Sequence, residues 1–345
     1  MLKIIQKLNL NKSDENFNFS SNAIKYTAEI IAEPLSLIFK SYLIHGHFTE
    51  NFLLCSLIPI VKDRLKSASD SANYRLIAIS SLLLKLMDLL ILELCGDLLT
   101  VSSLQFGFDA NSSTTLCTWT LQNTINYFVN RDTPVYLCFL DLKKAFDHVK
   151  LDILFNKLKD RLPGIFVRLL LYTYLLQKCY VRWGSTKSSS FTISNGVRQG
   201  GVASPVLFNI YINELFSILE GSNIGCSIDN YYFGALGYAD DITLLCPTRE
   251  GIQKLINIVK TYCDDYGITI STDPNVNKSK SKCIIFNCDY VPMNVCLYDR
   301  DLPYVDQWEH LGHIINKDMS TSHDILRSRA IFISKVHSLH ASGVG

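Results

Sequence analysis

The stretch Gly237-Tyr238-Ala239-Asp240-Asp241-Ile242-Thr243-Leu244-Leu245 places two adjacent carboxylates between apolar residues. Apolar residues on both sides of a short polar break predict a β-hairpin with the acids at its tip. Neighbouring carboxylates repel each other, and a hard divalent cation such as Mg²⁺, which binds carboxylate oxygens, would remove that repulsion. Asp is also common in solvated turns for local reasons, so this stretch alone leaves a turn and a metal site as equal alternatives.

A third acid follows another apolar run. Residues 136–140 are short, continuous and apolar, and Asp141 comes next, which predicts a buried strand with Asp141 at its C-terminal end. If that strand neighbours the hairpin, Asp141, Asp240 and Asp241 can share cations. Two metal ions about 3.5–4 Å apart stabilise the attacking and leaving oxygens of phosphoryl transfer. The alternative for Asp141 is the N-cap of a helix predicted over 143–158.

The order of elements predicts the fold class. Strands that carry the acids alternate with helices, predicted at 206–219 and 252–264, in a β-α-β-β-α-β order that ends in a strand at 283–286. This order predicts an α/β (α+β) fold with a ferredoxin-like sheet packed on one face by helices. The apolar stretch 80–101 carries charges at helical spacing, which predicts an amphipathic helix and not a membrane span.

Composition and charge limit the classes of function that fit this chain. The chain has 345 residues, 48% hydrophobic and 19% charged, which favours a sizeable core over disorder. The net charge is +1, but residues 141–200 hold eleven Lys/Arg against four Asp/Glu, whereas residues 201–300 hold seven against eleven. A basic region beside an acidic one suits a phosphate-binding surface next to a metal site. Part of the basic set can also be a solvated helix face; its members include Lys143, Lys144, Lys150, Lys157 and Lys159.

The cysteines and the missing motifs exclude several classes. Eleven scattered cysteines without a Cys-x-x-Cys pair argue against a structural zinc site and a disulfide scaffold. They indicate thiols in a reducing, intracellular compartment, without distinguishing nucleus from cytoplasm, and the N-terminus has no secretory signal. The chain contains no Walker-type loop, His-Glu-x-x-His or Gly-x-Ser-x-Gly, which removes the common nucleotidase, zinc-protease and serine-hydrolase interpretations.

Three motifs in a fixed order carry a family resemblance. They are Phe139-Leu140-Asp141-Leu142-Lys143-Lys144-Ala145-Phe146-Asp147-His148-Val149, Asn195-Gly196-Val197-Arg198-Gln199-Gly200-Gly201-Val202-Ala203-Ser204-Pro205 and Tyr238-Ala239-Asp240-Asp241. With them, the chain resembles the reverse transcriptase domain of non-LTR (LINE-type) retrotransposons. Weaker matches include Gln105-Phe106-Gly107-Phe108, Lys280-Ser281-Lys282 and Leu311-Gly312, so the resemblance extends from about 30 to about 315.

The resemblance implies an architecture and a reaction. It implies a right-hand polymerase with an N-terminal segment and fingers at 1–135, a ferredoxin-like palm at 136–315 and a truncated helical thumb at 316–345. Asp141, Asp240 and Asp241 are then catalytic and bind two Mg²⁺ ions, or Mn²⁺. The implied partners are an RNA template, a DNA primer and deoxynucleoside triphosphates. No membrane is implied, and protein partners stay unspecified.

The same resemblance assigns three residues to the incoming nucleotide. Phe146 stands five residues after Asp141, where the family has a sugar gate that excludes a 2′-hydroxyl by steric clash. The alternative for Phe146 is a core aromatic on the first helical turn. Gln199 and Gly200 resemble the loop that lines the nucleotide, where glycine lets the backbone approach closely.

Three cations have implied roles as well. Lys62 and Arg75 resemble the fingers residues that hold the triphosphate, which suits an ammonium and a bidentate guanidinium. Lys280 resembles the lysine that protonates the leaving pyrophosphate, although Lys278 and Lys282 compete for that role.

Departures from the family pattern set the alternatives. His310 replaces the usual Tyr before Leu311-Gly312, only 322–340 are available for a thumb helix, and the first 30 residues hold no endonuclease. The expectation is a fingers-palm fragment or a decayed copy of an element. The first hypothesis is an RNA-directed DNA polymerase, and the alternative is a catalytically inactive RNA-binding remnant. An RNA-directed RNA polymerase shares the acid pair, but Phe146 argues against it.

Overall fold

A computed structural model describes residues 1–14, 17, 19–46, 48–109, 111–273, 275, 278–288 and 293–341. Its helices are α1 Leu2–Gln6, α2 Ser21–Tyr26, α3 Ala28–His45, α4 Glu50–Leu53, α5 Leu82–Cys95, α6 Thr114–Val129, α7 Leu151–Lys159, α8 Gly164–Leu175, α9 Ser204–Gly221, α10 Arg249–Tyr266 and α11 Ser322–Ala341. Its strands are β1 Ser13–Asp14, β2 Phe19–Ser20, β3 Leu54–Val61, β4 Tyr74–Ser80, β5 Val135–Lys143, β6 Lys178–Trp183, β7 Thr186–Lys187, β8 Phe191–Thr192, β9 Ser227–Ile228, β10 Tyr231–Tyr232, β11 Ala235–Tyr238, β12 Asp241–Cys246, β13 Thr269–Ile270, β14 Lys282–Phe286, β15 Val295–Leu297, β16 Arg300–Leu302, β17 Gln307–His310 and β18 His313–Asn316.

The chain divides into two compact units, each built from two segments. The first unit comprises Met1–Val101 and Lys144–Ile212, and the second comprises Ser102–Lys143 and Asn213–Gly345. The chain passes from one unit to the other three times, the last time within α9.

The second unit is organised around β5. On one side β5 pairs with β12, which pairs with β11, and on the other side it pairs with β14 and, near its end, with β13. All these pairs are antiparallel. The resulting order β14-β5-β12-β11 is the arrangement that the predicted β-α-β-β-α-β succession requires, so the ferredoxin-like sheet is confirmed.

The sheet is buried on both faces, not packed by helices on one face alone. Alternate β5 residues Val135, Leu137 and Phe139 join a core cluster with α6 residues Cys117, Leu121 and Ile125. Tyr136, Cys138 and Leu140 point the other way and are buried too. Helix α10 also contacts β5 and β12. Its buried residues do not belong to the core cluster that α6 forms with Val135, Leu137 and Phe139.

The structure corrects the prediction for the segment after Asp141. Strand β5 continues to Lys143, so Asp141 lies inside a strand and is not a helix N-cap. The helix predicted from 143 begins only at Leu151. Two facts explain the difference: β13 pairs with Leu142 and Lys143, which keeps them extended, and Lys144 has a φ of 46°, outside the helical region.

The first unit contains a second sheet in the order β4-β3-β6-β7, with β8 also paired to β6. Strands β3 and β4 form a long antiparallel hairpin. The amphipathic helix predicted at 80–101 is α5, which begins after the N-cap Ser81 and ends at Cys95. Among the residues that the structure describes, none of the helices combines the length and apolar character needed to cross a bilayer.

Candidate functional site

The acid pair lies on the hairpin that the sequence predicts. Strands β11 and β12 are joined by a two-residue turn, Ala239 and Asp240, and Tyr238 pairs with Asp241 across it. Asp240 therefore sits in the turn, and Asp241 is the first residue of β12. Ala239 has a φ of 57°, in the left-handed region that favours glycine.

Asp141 and Asp241 face each other across two neighbouring strands. They are directly opposite in the β5–β12 register, a hundred positions apart in the chain. Side chains opposite each other in an antiparallel pair share one face of the sheet, with Cβ atoms about 4.5–5.5 Å apart. The structure thus brings the acid of the first motif and the acids of the hairpin to one place.

Electrostatics at this place favour a positive partner. Burial, together with the nearby charges of Asp240 and Asp141, raises the pKa of Asp241 to about 7, while Lys280 opposes the shift. Since one carboxylate resists ionisation beside two others, a proton or a cation has to compensate the group.

Lys280 is the lysine of its cluster that contacts the acids. Its Nζ lies 3.5 Å from Asp141 Oδ1, while 68% of its side chain stays exposed. Lys282 is buried in β14 with its Nζ 5.6 Å from the centre of the Trp308 ring, and Lys278 is exposed. The structure thus places Lys280, of these three lysines, at the acids.

An open cleft of about 340 Å³ borders the acid pair. Asp141, Asp241 and Lys280 line it together with Trp308, His310 and Leu311.

His310 forms part of the floor of this cleft. Its ring lies against Phe139 with 4.7 Å between centroids, and its Nε2 lies 3.2 Å from Thr243 Oγ1. Burial lowers the pKa of His310 to about 4, with the charge of His313 adding to the effect, so the ring is neutral at pH 7.

The residues assigned to the nucleotide lie in the first unit. The Phe146 ring stacks on Phe208 of α9, with 4.8 Å between centroids and 13° between planes. Phe146 occupies the turn before α7, not a helical turn, and is half-buried. Gln199 donates from Nε2 to Asp147 Oδ1 at 3.0 Å, which gives the exposed Asp147 a structural contact.

Gly200 meets a strict steric limit. Its φ is 100°, in a region that strongly favours glycine, and an added Cβ would make a tight contact of 3.1 Å with the Ala78 carbonyl oxygen. The preceding Gln199 carbonyl accepts from Ala78 N at 2.7 Å. These two contacts fix the loop against β4.

Lys62 and Arg75 lie on the same hairpin. Lys62 follows β3, and its Nζ donates to the Ala72 carbonyl oxygen at 3.1 Å. Arg75 is exposed on β4 opposite Ile60, and strand alternation places Lys62 and Ile60 on one face. The two cations therefore project from the same side of the β3–β4 hairpin.

Comparison with known proteins identifies the family. Residues 62–315 match the family described as reverse transcriptase (RNA-dependent DNA polymerase). The chain belongs to the reverse transcriptase family. The chain is 26% identical over 296 residues to the Pol polyprotein from the type-1 retrotransposable element R2 of Nasonia vitripennis, covering 83% of this chain and 28% of that protein. It is 24% identical over 348 residues to the RNA-directed DNA polymerase from mobile element jockey of Drosophila melanogaster, covering 96% of this chain and 36% of that protein.

A solved structure has the same fold as this chain. Apo telomerase from Candida tropicalis, truncated from its C-terminal domain, aligns with a TM-score of 0.50 and 14% identity, covering 89% of this chain and 62% of that one. The likeness confirms the polymerase fold of fingers and palm. The chain spans about a third, or less, of the length of the curated relatives above.

Reverse transcriptases depend on divalent metal ions in general, and the acid pair offers suitable donors. Within the described residues, no group of three or more His, Cys, Asp or Glu side chains is arranged to hold a metal ion. Asp141 and Asp241 nevertheless supply facing carboxylates beside Asp240, and hard divalent cations prefer carboxylate oxygens. The raised pKa of Asp241 marks a buried carboxyl group beside two like charges, which Lys280 offsets only in part. The donor set therefore fits a hard divalent cation.

Two residues of the chain were not foreseen as parts of the site. Ser281 Oγ accepts from Asp141 N at 3.3 Å and donates to the Ser271 carbonyl at 2.7 Å, so it supports the strand that carries Asp141. His310 stood out in the sequence only as a departure from the usual Tyr. Both act through contacts with residues far away in the chain, which no local pattern reveals.

Proposed function

We propose that this chain is an RNA-directed DNA polymerase of a non-LTR retrotransposon, which extends a primer 3′-hydroxyl with deoxynucleotides on an RNA template. The observation that carries the proposal is the in-register pairing of Asp141 with Asp241, with Asp240 in the adjoining turn. Clustered carboxylates bordering an open cleft suit phosphoryl transfer, in which negative charge develops on the attacking and leaving oxygens.

Asp141, Asp240 and Asp241 would hold two Mg²⁺ ions, with Mn²⁺ as a substitute. The ions, when bound, stabilise the charge on both reacting oxygens. Asp241 has a pKa of about 7 without a cation, so it carries a proton part of the time at neutral pH and has to release it to act as a ligand.

Lys280 would act as the proton donor to the leaving group. As the 3′-hydroxyl loses its proton to water and its oxygen bonds to the α-phosphorus, the bond from that phosphorus to pyrophosphate breaks, and Nζ gives its proton to the departing oxygen. Its side chain is 68% exposed and is held by one ion pair with Asp141, which leaves it free to reorient toward a substrate.

The residues of the first unit would select and hold the nucleotide. Stacking on Phe208 fixes the plane of Phe146, and a fixed ring can exclude a 2′-hydroxyl by clash. Gln199 and Gly200 would line the nucleotide, supported by their contacts with Ala78. Lys62 and Arg75 share a hairpin face from which both can reach triphosphate oxygens.

The proposal includes the partners and the compartment. An RNA template, a DNA primer and deoxynucleoside triphosphates are the substrates of this reaction, and the fold supports their binding. All eleven cysteines are free thiols, nine of them buried, which supports a reducing intracellular compartment.

Primer extension tests the proposal. Wild-type protein, an RNA template and a DNA primer are incubated with deoxynucleotides and Mg²⁺ or Mn²⁺. Wild type is expected to extend the primer, and Asp240→Asn is expected to lose at least a hundredfold in rate because a candidate ligand becomes a neutral amide. Asp318→Asn, an exposed acid in the same unit, is the matched control and keeps wild-type rate. Equal inactivity of wild type and Asp240→Asn with both ions would rule out catalysis by this chain.

A further inference from the structure

The turn that carries Asp240 is strained and needs external support. Ala239 has a φ of 57°, in the left-handed region that a residue with a Cβ atom rarely adopts. Ala239 is also 5% exposed, so its backbone N–H and C=O lie away from water and require partners. In a two-residue hairpin turn, the facing strand does not supply hydrogen-bond partners for both of these groups.

The side chain of Gln105 supplies both. Its Oε1 accepts from Ala239 N at 2.9 Å, and its Nε2 donates toward the Ala239 carbonyl oxygen at 3.3 Å. The same Oε1 accepts from Gly107 N at 2.9 Å. Gln105 is 3% exposed, so these bonds form in a water-poor environment where each is stronger.

The backbone around Gln105 is bonded to the same hairpin. Gly237 N donates to the Leu104 carbonyl at 2.7 Å, and Phe106 N donates to the Gly237 carbonyl at 2.7 Å, which makes a parallel bridge between Gln105 and Gly237. Gly107 has to be glycine, because an added Cβ would lie 2.3 Å from Ala239 N. Residues 104–107 thus form a clamp on β11 and its turn, which we call the glutamine clamp.

We propose that Gln105 is a positioning residue, which fixes the Ala239 peptide and thereby the place of Asp240 and Asp241 at the metal-binding end of the hairpin. The proposal rests on the polymerase function proposed above. Gln105 touches neither acid; it acts through the turn that connects Tyr238 to Asp241.

The chemistry requires an amide at this position. A glutamine side chain offers one acceptor and one donor in a plane, which matches the N–H and C=O of a single residue. Gln105→Glu keeps the shape and the acceptor but replaces the donor with a charged oxygen facing the Ala239 carbonyl. Gln105→Leu keeps the approximate volume and removes both bonds, leaving two buried backbone groups unpaired.

A second glutamine in the same unit provides a matched control. Gln253 makes the same pair of bonds to Cys296, with Oε1 accepting from Cys296 N at 2.7 Å and Nε2 donating to the Cys296 carbonyl at 2.9 Å. Gln253→Leu removes the same pair of bonds from a more exposed position on β15 without touching the acid hairpin.

The first measurement is hydrogen exchange of the Ala239 and Asp240 amides, which requires no activity. Gln105→Leu and Gln105→Glu are expected to lower protection at Ala239 at least tenfold, while Gln253→Leu leaves it at the wild-type value. Unchanged protection at Ala239 in folded Gln105→Leu protein would overturn the proposal. If Gln105→Leu does not fold, the shape-conserving Gln105→Glu decides by the same criterion.

The second measurement separates positioning from general stability. In single-nucleotide incorporation, both Gln105 variants are expected to lower kcat at least tenfold with the KM for deoxynucleotide within twofold of wild type, because the candidate nucleotide residues belong to the first unit. An equal loss of kcat in Gln253→Leu, or a loss confined to KM, would contradict a positioning role. An inactive wild type would refute the polymerase proposal alone, and the exchange experiment would then decide the role of Gln105.

Discussion

At the scale of single residues, burial and like charges act together on the carboxyl group of Asp241. It combines burial with two like-charged neighbours, Asp240 and Asp141, and the ammonium of Lys280 offsets them only in part. This imbalance is expected where a cation belongs, because a site built to bind positive charge is destabilised without it. The same imbalance makes the stability of the metal-free protein depend on pH.

Asp241→Asn is expected to stabilise the metal-free protein at pH 8. Folding raises the pKa of Asp241 to about 7 from an unfolded value of about 4, so its contribution to stability is present below pH 4 and is lost as the pH rises through 7. A neutral amide avoids that loss. Thermal unfolding in EDTA should show a higher Tm for the variant at pH 8 and a smaller difference at pH 5.

The exposed Asp318→Asn serves as the control, and its Tm should follow wild type at both pH values. Addition of Mg²⁺ or Mn²⁺ should raise the Tm of wild type more than that of Asp241→Asn. A variant Tm equal to wild type at pH 8 in EDTA would show that Asp241 ionises without cost.

At the scale of elements, a buried ion pair ties the Gln199–Gly200 loop to two helices. Arg198 precedes the loop, and its Nη2 lies 3.7 Å from Asp88 Oδ1 of α5. The guanidinium also lies 4.4 Å from the centre of the Tyr174 ring of α8. Side-chain exposures of 4% and 1% show that both charges are removed from water. Burial raises the pKa of Asp88, and Arg198 opposes that shift.

Breaking this pair is expected to destabilise the first unit. Arg198→Met leaves a buried carboxylate without its partner, which costs about 3 kcal/mol of unfolding free energy. The double variant Asp88→Leu/Arg198→Met removes both charges and should recover at least about 1 kcal/mol of that loss, because an apolar pair needs no compensation. Urea unfolding measures all of these values.

The control is Lys317→Met, which breaks the exposed pair with Asp306 at 2.8 Å. It should change the unfolding free energy by no more than about 0.5 kcal/mol. A double variant whose destabilisation equals the sum of the two single variants would mean that Arg198 and Asp88 do not interact.

At the scale of the whole molecule, the uneven distribution of charge matters more for phosphate binding than the net charge of +1. Part of the basic run 141–200 bonds to other parts of the chain: Arg161 donates to the Thr100 carbonyl and Arg168 to the Leu43 carbonyl, while Lys178 forms an exposed ion pair with Glu50. Lys143 and Lys144 are exposed near the end of β5. The sequence left a solvated face and a phosphate-binding surface open for this run, and the structure shows that its cations divide between internal contacts and exposed positions.

RNA binding should therefore depend on salt through the exposed members of the run. Lys143→Gln/Lys144→Gln is expected to reduce the slope of log K against log salt concentration by roughly 1.4, because each single-strand phosphate that a lysine no longer neutralises lowers the slope by about 0.7. Fluorescence anisotropy with labelled RNA at several salt concentrations gives the slope.

Lys254→Gln/Lys260→Gln on α10 makes the same change in net charge within the acidic region and should keep the wild-type slope. An equal reduction of the slope in both double variants would mean that net charge alone, and not the basic run, governs binding.

Local patterns predict the elements of this protein well and their junctions poorly. Apolar periodicity predicts the acid hairpin, α5, α9, α10 and β14. Each of these elements buries one face, and the residues of that face are only a few positions apart in the chain. The prediction for the segment after Asp141 was wrong, because pairing of Leu142 and Lys143 with β13 extends a strand that propensity alone would have ended.

By itself, the sequence determined the motifs, the family and which acids are candidates for metal binding, since these depend on residue type and order. Only the tertiary structure decided that Asp241 stands opposite Asp141, that Lys280 and not Lys282 reaches the acids, and that Gln105 holds the peptide of Ala239. The physical reason is the separation along the chain of the residues that interact. Strand register and buried hydrogen bonds join residues that are far apart in the chain, and their energies depend on distance in space and burial, which local sequence does not encode.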